Sequence, residues 1–169
     1  MKKTFGTLLA IPFLILPAWA QGMTDGEALT TLNTINKHEV KLGQIADQKN
    51  ASDRVTEYAK LMHREHDINL KQTTALEKQL KISPADTPAV VGLREKGEEE
   101  TKQLKKLEGV DFDKAYINAM VQGHDEALKK LDSFIPEVRH EEVKKHLEET
   151  RKRVEHHLEE AKQIQKEIN

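Results

Sequence analysis

Apolar residues recur every three or four positions along most of the chain, and no stretch alternates apolar and polar residues with the period of a strand. This spacing places the apolar side chains on one face of an α-helix. Residues that favour helices, mainly Ala, Leu, Lys, Glu and Gln, dominate the sequence after residue 20. The pattern therefore predicts an all-α protein.

Capping and breaking residues divide this pattern into five predicted helices. The stretch Thr24-Asp25-Gly26-Glu27 has the form of a capping box. Ser52 and Asp111 are suitable N-caps, and Thr87 followed by Pro88 is a typical helix start. The predicted helices cover about residues 24–49, 53–80, 88–109 and 111–134, and a last helix follows Pro136 and ends near residue 168.

Four of these helices are long and are joined by short connections, which favours antiparallel neighbours. We therefore expect an antiparallel four-helix bundle in which the shorter helix near residues 88–107 is a crossover or outer helix. A long coiled-coil oligomer is the structural alternative, but the frequent breaks in the helical pattern argue against it.

The inward stripe of each long helix is interrupted once by a residue that can bind a metal ion. These four residues are Glu39, His66, His124 and His157. A lone carboxylate is costly to bury among aliphatic side chains unless something pairs with it, and three imidazoles with a cation would do so. Such a set is suitable for one zinc, iron, copper or manganese ion.

A metal-free polar layer that fixes the register of the helices is the alternative. The chain has 8 histidines, and two positions in seven of a helix face inward, so about two histidines should reach the core by chance. Counting along the helices also gives a height difference of about 6 Å between Glu39 and His66 and of about two turns between His124 and His157. Periodicity alone leaves both interpretations open.

Other polar residues near these stripes are weaker candidates. His63, Glu65, Asn69 and Tyr116 could hydrogen-bond to the ligands or lie close behind them. A solvated pair is the favoured interpretation of His63 and Glu65, a polar position that fixes helix register is the alternative for Asn69, and simple packing is favoured for Tyr116. The remaining histidines lie among Glu and Lys and are expected to be solvated: His38, His140, His146 and His156.

The first 20 residues have the pattern of a cleaved secretory signal peptide. Lys2 and Lys3 precede an apolar run that is too short to span a membrane, and Ala18-Trp19-Ala20 fits a cleavage site. Residues 21–169 are then expected to form one helical-bundle domain without a transmembrane segment. The sequence predicts an exported protein, periplasmic or secreted, for which peripheral association with the cell envelope is open.

The composition of the chain and its lack of known motifs argue against several classes of function. The chain has no cysteine, so neither a disulfide framework nor a lipid anchor on cysteine is available. Without Lys2 and Lys3, the 27 basic side chains fall to 25 against 29 acidic ones, and the charges are interspersed, which argues against nucleic-acid binding. The sequence also lacks a phosphate-binding Gly-rich loop, a nucleophile elbow and the H-E-x-x-H zinc motif.

Four ordered blocks of the sequence stand out: "HEVKLGQIADQK", "YAKLMHREHDINLK", "GVDFDKAYINAMVQGHDEAL" and "HHLEEA". Together they resemble the domain of unknown function 4142 family (DUF4142), whose members are exported bacterial proteins with a ferritin-like helical bundle. The resemblance places family motif positions on Glu39, Glu65-His66, His124 and His157-Leu158. Two features depart from the family pattern: Gly123 stands where an acidic residue is common, and the last helix lacks a proline before its histidine.

These observations predict a protein that binds one transition-metal ion in the bundle core, for metal binding, storage or envelope stress protection. The alternative is a metal-free interaction or structural module of the cell envelope, with an unknown protein partner. A metal-dependent oxidoreductase is a weaker third hypothesis. The paired Glu-x-x-His motifs of a di-iron bundle are missing from the sequence, so ferroxidase chemistry is not expected.

Overall fold

The computed structural model describes residues 24–168, so the predicted signal peptide at residues 1–20 lies outside the described residues. The described chain forms five α-helices: α1 (Asp25–Ala46), α2 (Asp53–Leu80), α3 (Pro88–Leu104), α4 (Gly109–Phe134) and α5 (Glu141–Ile168). No strand occurs between residues 24 and 168. The all-α prediction is confirmed.

The four long helices form the predicted bundle. Helix α1 packs against α2, α2 against α5 and α5 against α4, while α3 lies across α1 and α4. The end of α1 and the start of α2 share one apolar cluster with the start of α4 and the end of α5, so each of these neighbouring pairs is antiparallel. Helix α3 carries the chain back between α2 and α4, which confirms its place as the crossover helix.

Local sequence explains where the helices begin. The Thr24 side chain accepts a hydrogen bond from the backbone N–H of Glu27, and the Glu27 carboxylate accepts one from the N–H of Thr24, which completes the predicted capping box. Thr87 caps α3 as predicted, with proline at the first helical position. Ser52 is the N-cap of α2, but its side chain makes no capping bond; its N–H donates to the Asp113 carboxylate at 3.1 Å.

The junction between α3 and α4 differs from the sequence prediction. Helix α3 ends at Leu104, earlier than the predicted Gly109, because residues 105–107 tighten into a turn. Gly109 instead begins α4, with a φ of 55° that a residue with a side chain rarely adopts. The positive φ lets the chain reverse direction, so α4 begins two residues before the predicted cap, Asp111.

Two apolar clusters fill the two ends of the bundle. One includes Leu42, Met62, Met120 and Ile164, and the other includes Leu29, Leu131 and Leu147. Buried polar side chains from the four long helices lie between these clusters: Asn36, Glu39, His66, Asn69, His124 and His157. None of the helices between residues 24 and 168 combines the length and the apolar character needed to cross a membrane.

Candidate metal centre

Three of the four predicted ligands meet in this polar layer. His66 on α2, His124 on α4 and His157 on α5 have ring centroids 5.5–5.7 Å apart. Each imidazole offers one nitrogen, and these three nitrogen atoms all lie within 4.8 Å of one another. The side chains are 2–5% exposed, so the cluster is enclosed by the bundle.

The height difference expected from counting residues does not keep the rings apart. The backbone N–H groups of Glu137 and Val138 bond to the carbonyl of Phe134, so the turn after α4 continues its path for several residues. This extension lengthens the α4 arm of the hairpin, and α5 begins only at Glu141, later than predicted, which shortens the other arm. The ring centroids of these two residues are 5.5 Å apart.

The nitrogen of each imidazole that points away from the cluster has a hydrogen-bond partner. The Nδ1–H of His124 donates to the Met120 carbonyl at 2.8 Å. The Nε2–H of His157 donates to the Glu65 carboxylate at 2.8 Å, and the Nδ1–H of His66 donates to the Asn36 Oδ1 at 2.9 Å. Because a carbonyl or carboxylate oxygen can only accept, these bonds fix where the ring protons lie.

The opposite nitrogens have no partner among residues 24–168. These are the Nε2 atoms of His66 and His124 and the Nδ1 atom of His157. With the protons held on the outer nitrogens, the inner nitrogens carry lone pairs that face a shared space. Buried polar atoms are nearly always hydrogen-bonded, so three unpartnered atoms in one place are unusual.

Burial keeps these imidazoles neutral at neutral pH. It lowers the pKa of His124 to about 4, and the neighbouring His157 contributes. Burial, with His124 and His157 nearby, also holds the pKa of His66 well below its usual value. The pKa of His157 is lowered by burial even though the hydrogen bond that it donates to Glu65 acts in the opposite direction. Neutral imidazole is the form that binds a metal ion.

The fourth predicted ligand, Glu39, lies beside the cluster but outside the set of three converging nitrogens. It lines the same small cavity of about 30 Å³. Its Oε2 atom is buried and has no partner within residues 24–168, and burial raises the pKa of the carboxyl to about 7. The other oxygen, Oε1, would lie 3.7 Å from a Cβ added at Gly123.

The dimensions are close to those of a three-histidine metal site. Bonds from zinc to imidazole nitrogen are about 2.0–2.1 Å, so two ligands of one ion can be at most about 4.2 Å apart. The nitrogens here lie within 4.8 Å of one another, so small inward rotations of the rings would complete the site. A carboxylate at the edge of the same cavity can supply a fourth ligand or balance the charge.

The predicted supporting residues have different surroundings. Glu65 contacts His157 directly, and Asn69 accepts a hydrogen bond from the Asn36 amide at 2.7 Å. Tyr116 is fully buried and its hydroxyl has no partner within the described residues; burial, with Glu39 nearby, raises its pKa well above the usual value. His63 instead packs against Gly43 of α1, where an added Cβ would lie 2.8 Å from the His63 Cβ.

Asn36 is a site residue that the sequence analysis missed. Its amide links His66 to Asn69, and the Asn69 amide donates to the Thr150 hydroxyl at 2.9 Å. Asn36 stands three positions before Glu39, so both face the core from adjacent turns of α1. That spacing was the available signal.

Three histidines expected to be solvated have partners of their own. His38 pairs with Glu100 at 2.7 Å, and His140 pairs with Asp25 at 2.6 Å. His146 bonds to the Thr73 hydroxyl at 2.8 Å. His140 and His156 are exposed as expected, whereas His38 and His146 are half-buried.

The fold and the cluster together define an all-α bundle with three histidines buried at mid-height. The chain belongs to the family described as "Domain of unknown function (DUF4142)", whose model matches residues 17–164. The crystal structure of a DUF305 protein from Streptomyces coelicolor is similar with a TM-score of 0.74 and 11% identity, covering 85% of this chain and 93% of that one. At this identity the likeness shows the fold alone. No curated protein matches the chain.

Proposed function

We propose that the protein binds one transition-metal ion through His66, His124 and His157, with Glu39 as a fourth, acidic ligand. The role that fits best is metal binding, storage or protection of the cell envelope rather than turnover. Zinc, iron, copper and manganese all accept imidazole and carboxylate ligands. The pattern of Lys2-Lys3, apolar run and Ala18-Trp19-Ala20 supports export of the mature chain.

One observation carries this proposal: three buried imidazole rings lie 5.5–5.7 Å apart, and each has one nitrogen without a partner and one that is hydrogen-bonded. A layer of polar residues that only fixed helix register would satisfy its members with one another. Second bonds that hold and orient an imidazole are the usual arrangement behind a metal ligand.

A metal-free interaction module is the second candidate, and the chain of amides favours it. Asn36, Asn69 and Thr150 bond to one another across three helices, which is how a buried polar layer specifies register. The same layer could therefore act without an ion, and its binding partner would be another envelope protein.

Elemental analysis separates the two candidates. The mature chain, purified without a polyhistidine tag, should contain close to one equivalent of a transition metal, and removal of the ion with a chelator should lower its melting temperature. The neighbouring residues His157 and His156 provide matched variants, since one is buried in the cluster and the other is exposed. His157→Gln should lose the ion, whereas His156→Gln should retain it.

Two results would argue for the metal-free module. The first is wild-type protein that takes up none of the four ions and melts at the same temperature with and without them. The second is equal metal content in His157→Gln and His156→Gln, which would place any bound ion outside the cluster.

A further inference from the structure

A second cavity, of about 70 Å³, lies beneath the crossover helix between α1, α3 and α4. It shares part of its lining with the inner cavity of the histidine cluster. Glu39 and Gly123 belong to both linings. Glu39 therefore stands at the boundary between the enclosed centre and the space beneath α3.

The outer cavity has acidic groups where a cation would enter. Glu100 of α3 pairs with His38 of α1, and both side chains are partly exposed. Glu126 of α4 also lines the cavity and pairs with Lys96 of α3 at 2.7 Å, which offsets the charge of that lysine. Carboxylates and imidazole at the entrance, followed by the buried carboxylate of Glu39, form a succession of cation ligands.

The other sides of the centre are less suited to a cation. The two ends of the bundle are closed by the apolar clusters. Toward α5, the inner cavity is lined by Arg153, whose charge repels a cation, whereas Lys130 of α4 lines both cavities and does not distinguish the two directions. Glu65 is partly exposed, but it bonds to the outer nitrogen of His157, so the imidazole ring stands between this carboxylate and the inner nitrogens.

We propose that metal ions reach the three-histidine centre through the cavity beneath α3, and that Glu39 transfers the ion from the outer cavity to the inner one. This inference rests on the proposed function. Helix α3 covers the route closely: a Cβ at Gly97 would lie only 2.9 Å from the His38 ring. Gly123 keeps the inner end of the route open because it places no side chain beside the Glu39 carboxylate.

Substitution of Gly123 tests the route. A Cβ there would meet Glu39 at ordinary van der Waals distance, so Gly123→Leu adds a side chain to the shared lining of the two cavities. We expect Co²⁺ binding, followed by stopped-flow absorbance on the metal-free full mature chain, to slow by about tenfold or more in both association and dissociation. Because both rates fall together, the equilibrium affinity for Co²⁺ should change little.

Gly92→Leu is the matched control, because a Cβ added there meets no atom of the described chain within 4 Å apart from its chain neighbours and the backbone of its own helix turn. Its Co²⁺ rates should equal those of the wild type. Gly123→Ala, which adds one methyl group, should slow binding less than Gly123→Leu and provides the test if the leucine variant does not fold.

Three results would overturn the inference. Wild-type rates in both Gly123 variants would show that ions enter elsewhere and would leave the metal centre itself intact. A weaker affinity with an unchanged association rate would show that Gly123 shapes the centre rather than the route. A wild-type chain that binds neither Co²⁺ nor zinc, iron, copper or manganese would overturn both the route and the proposed function.

Discussion

Two polar groups share the middle layer of the bundle, and they differ in how well their atoms are paired. The chain formed by Asn36, Asn69 and Thr150 satisfies its members with one another. The three histidines bond outward to other residues and leave their inner nitrogens without partners inside the described chain. The two groups touch through the bond between Asn36 and His66.

This difference separates polar groups that pair with one another from polar groups that leave buried atoms unpaired. A buried polar atom without a partner costs about 1–3 kcal/mol, so the histidine cluster lowers the stability of the metal-free protein. The amide chain carries no such cost. The proposed ion would bind at this point, and the following predictions test that proposal.

Replacing one cluster histidine should have the largest effect. His124→Leu removes an inner nitrogen. It also removes the side-chain hydrogen bond to the Met120 carbonyl, which lies within α4. At an ion concentration about 1,000 times Kd, binding stabilises the wild type by about 4 kcal/mol, and the variant should lose this gain. Without metal, the variant should be at least as stable as the wild type, since an unpaired buried atom is gone.

Urea denaturation with and without Zn²⁺ measures both quantities. A variant that keeps the full stabilisation by Zn²⁺ would place the ion outside the cluster. A large loss of stability in the metal-free variant would show that His124 supports the fold itself.

Acid should destabilise the metal-free protein through the same cluster. Burial lowers the pKa values of the three histidines from 6.5, so the unfolded chain binds more protons than the native one as the pH falls below about 6.5. Glu39 acts in the opposite direction: its pKa is raised from 4.5 to about 7, so protonation of the native state adds stability between these values. Three groups outweigh one, and stability should decline from about pH 6.5 toward pH 4.

Urea midpoints measured from pH 7.5 to pH 4.5 check this sign. The decline should be shallower in His124→Leu, which removes one of the three groups. The amide chain does not titrate and so contributes nothing to the slope. Stability that rises steadily as the pH falls through this range would mean that Glu39 dominates and that the imidazoles are more solvated than they are in the structure.

The fold followed from local signals in the sequence. The capping box at Thr24, the Thr87-Pro88 start and the breaks between long amphipathic segments predicted all five helices and the crossover position of α3. The end of α3 was placed wrongly because Gly109 was interpreted as a helix end. Gly109 instead has a positive φ at the start of α4. Whether such a glycine ends one helix or begins the next depends on tertiary geometry.

The candidate site was only partly accessible from the sequence. Helical periodicity placed His66, His124 and His157 on inward stripes, and the structure brings them together. Counting residues misjudged their heights because the turn after α4 extends that helix. The sequence does not show which nitrogen of each ring is hydrogen-bonded. That depends on contacts between helices, and the periodicity of one helix gives no information about them.

Breaking the amide chain should cost stability while leaving ion binding in place. Asn69→Ala leaves the Asn36 amide nitrogen and the Thr150 hydroxyl without their partners, so the free energy of unfolding should fall by about 1–3 kcal/mol. Asn118→Ala is the control, because Asn118 is exposed and its bond to Gln165 lies on the surface; the change should be within about 0.5 kcal/mol. Loss of metal binding in Asn69→Ala would mean that the two polar groups act as one unit.

The smallest effect should come from the residue that orients the cluster from outside. In Glu65→Gln, the amide oxygen can still accept the hydrogen bond from His157, but the negative charge that strengthens this bond is lost. A ligand imidazole that loses a charged partner becomes less basic, so Zn²⁺ affinity should fall about tenfold, or about 1.4 kcal/mol. Glu57→Gln on the exposed face of α2 should leave Zn²⁺ affinity unchanged. Equal Zn²⁺ affinity in Glu65→Gln and the wild type would show that the Glu65 charge only links α2 to α5. Weaker Zn²⁺ affinity in Glu65→Gln but not in Glu57→Gln would show that a partly exposed residue contributes to the metal centre through its hydrogen bond with a histidine.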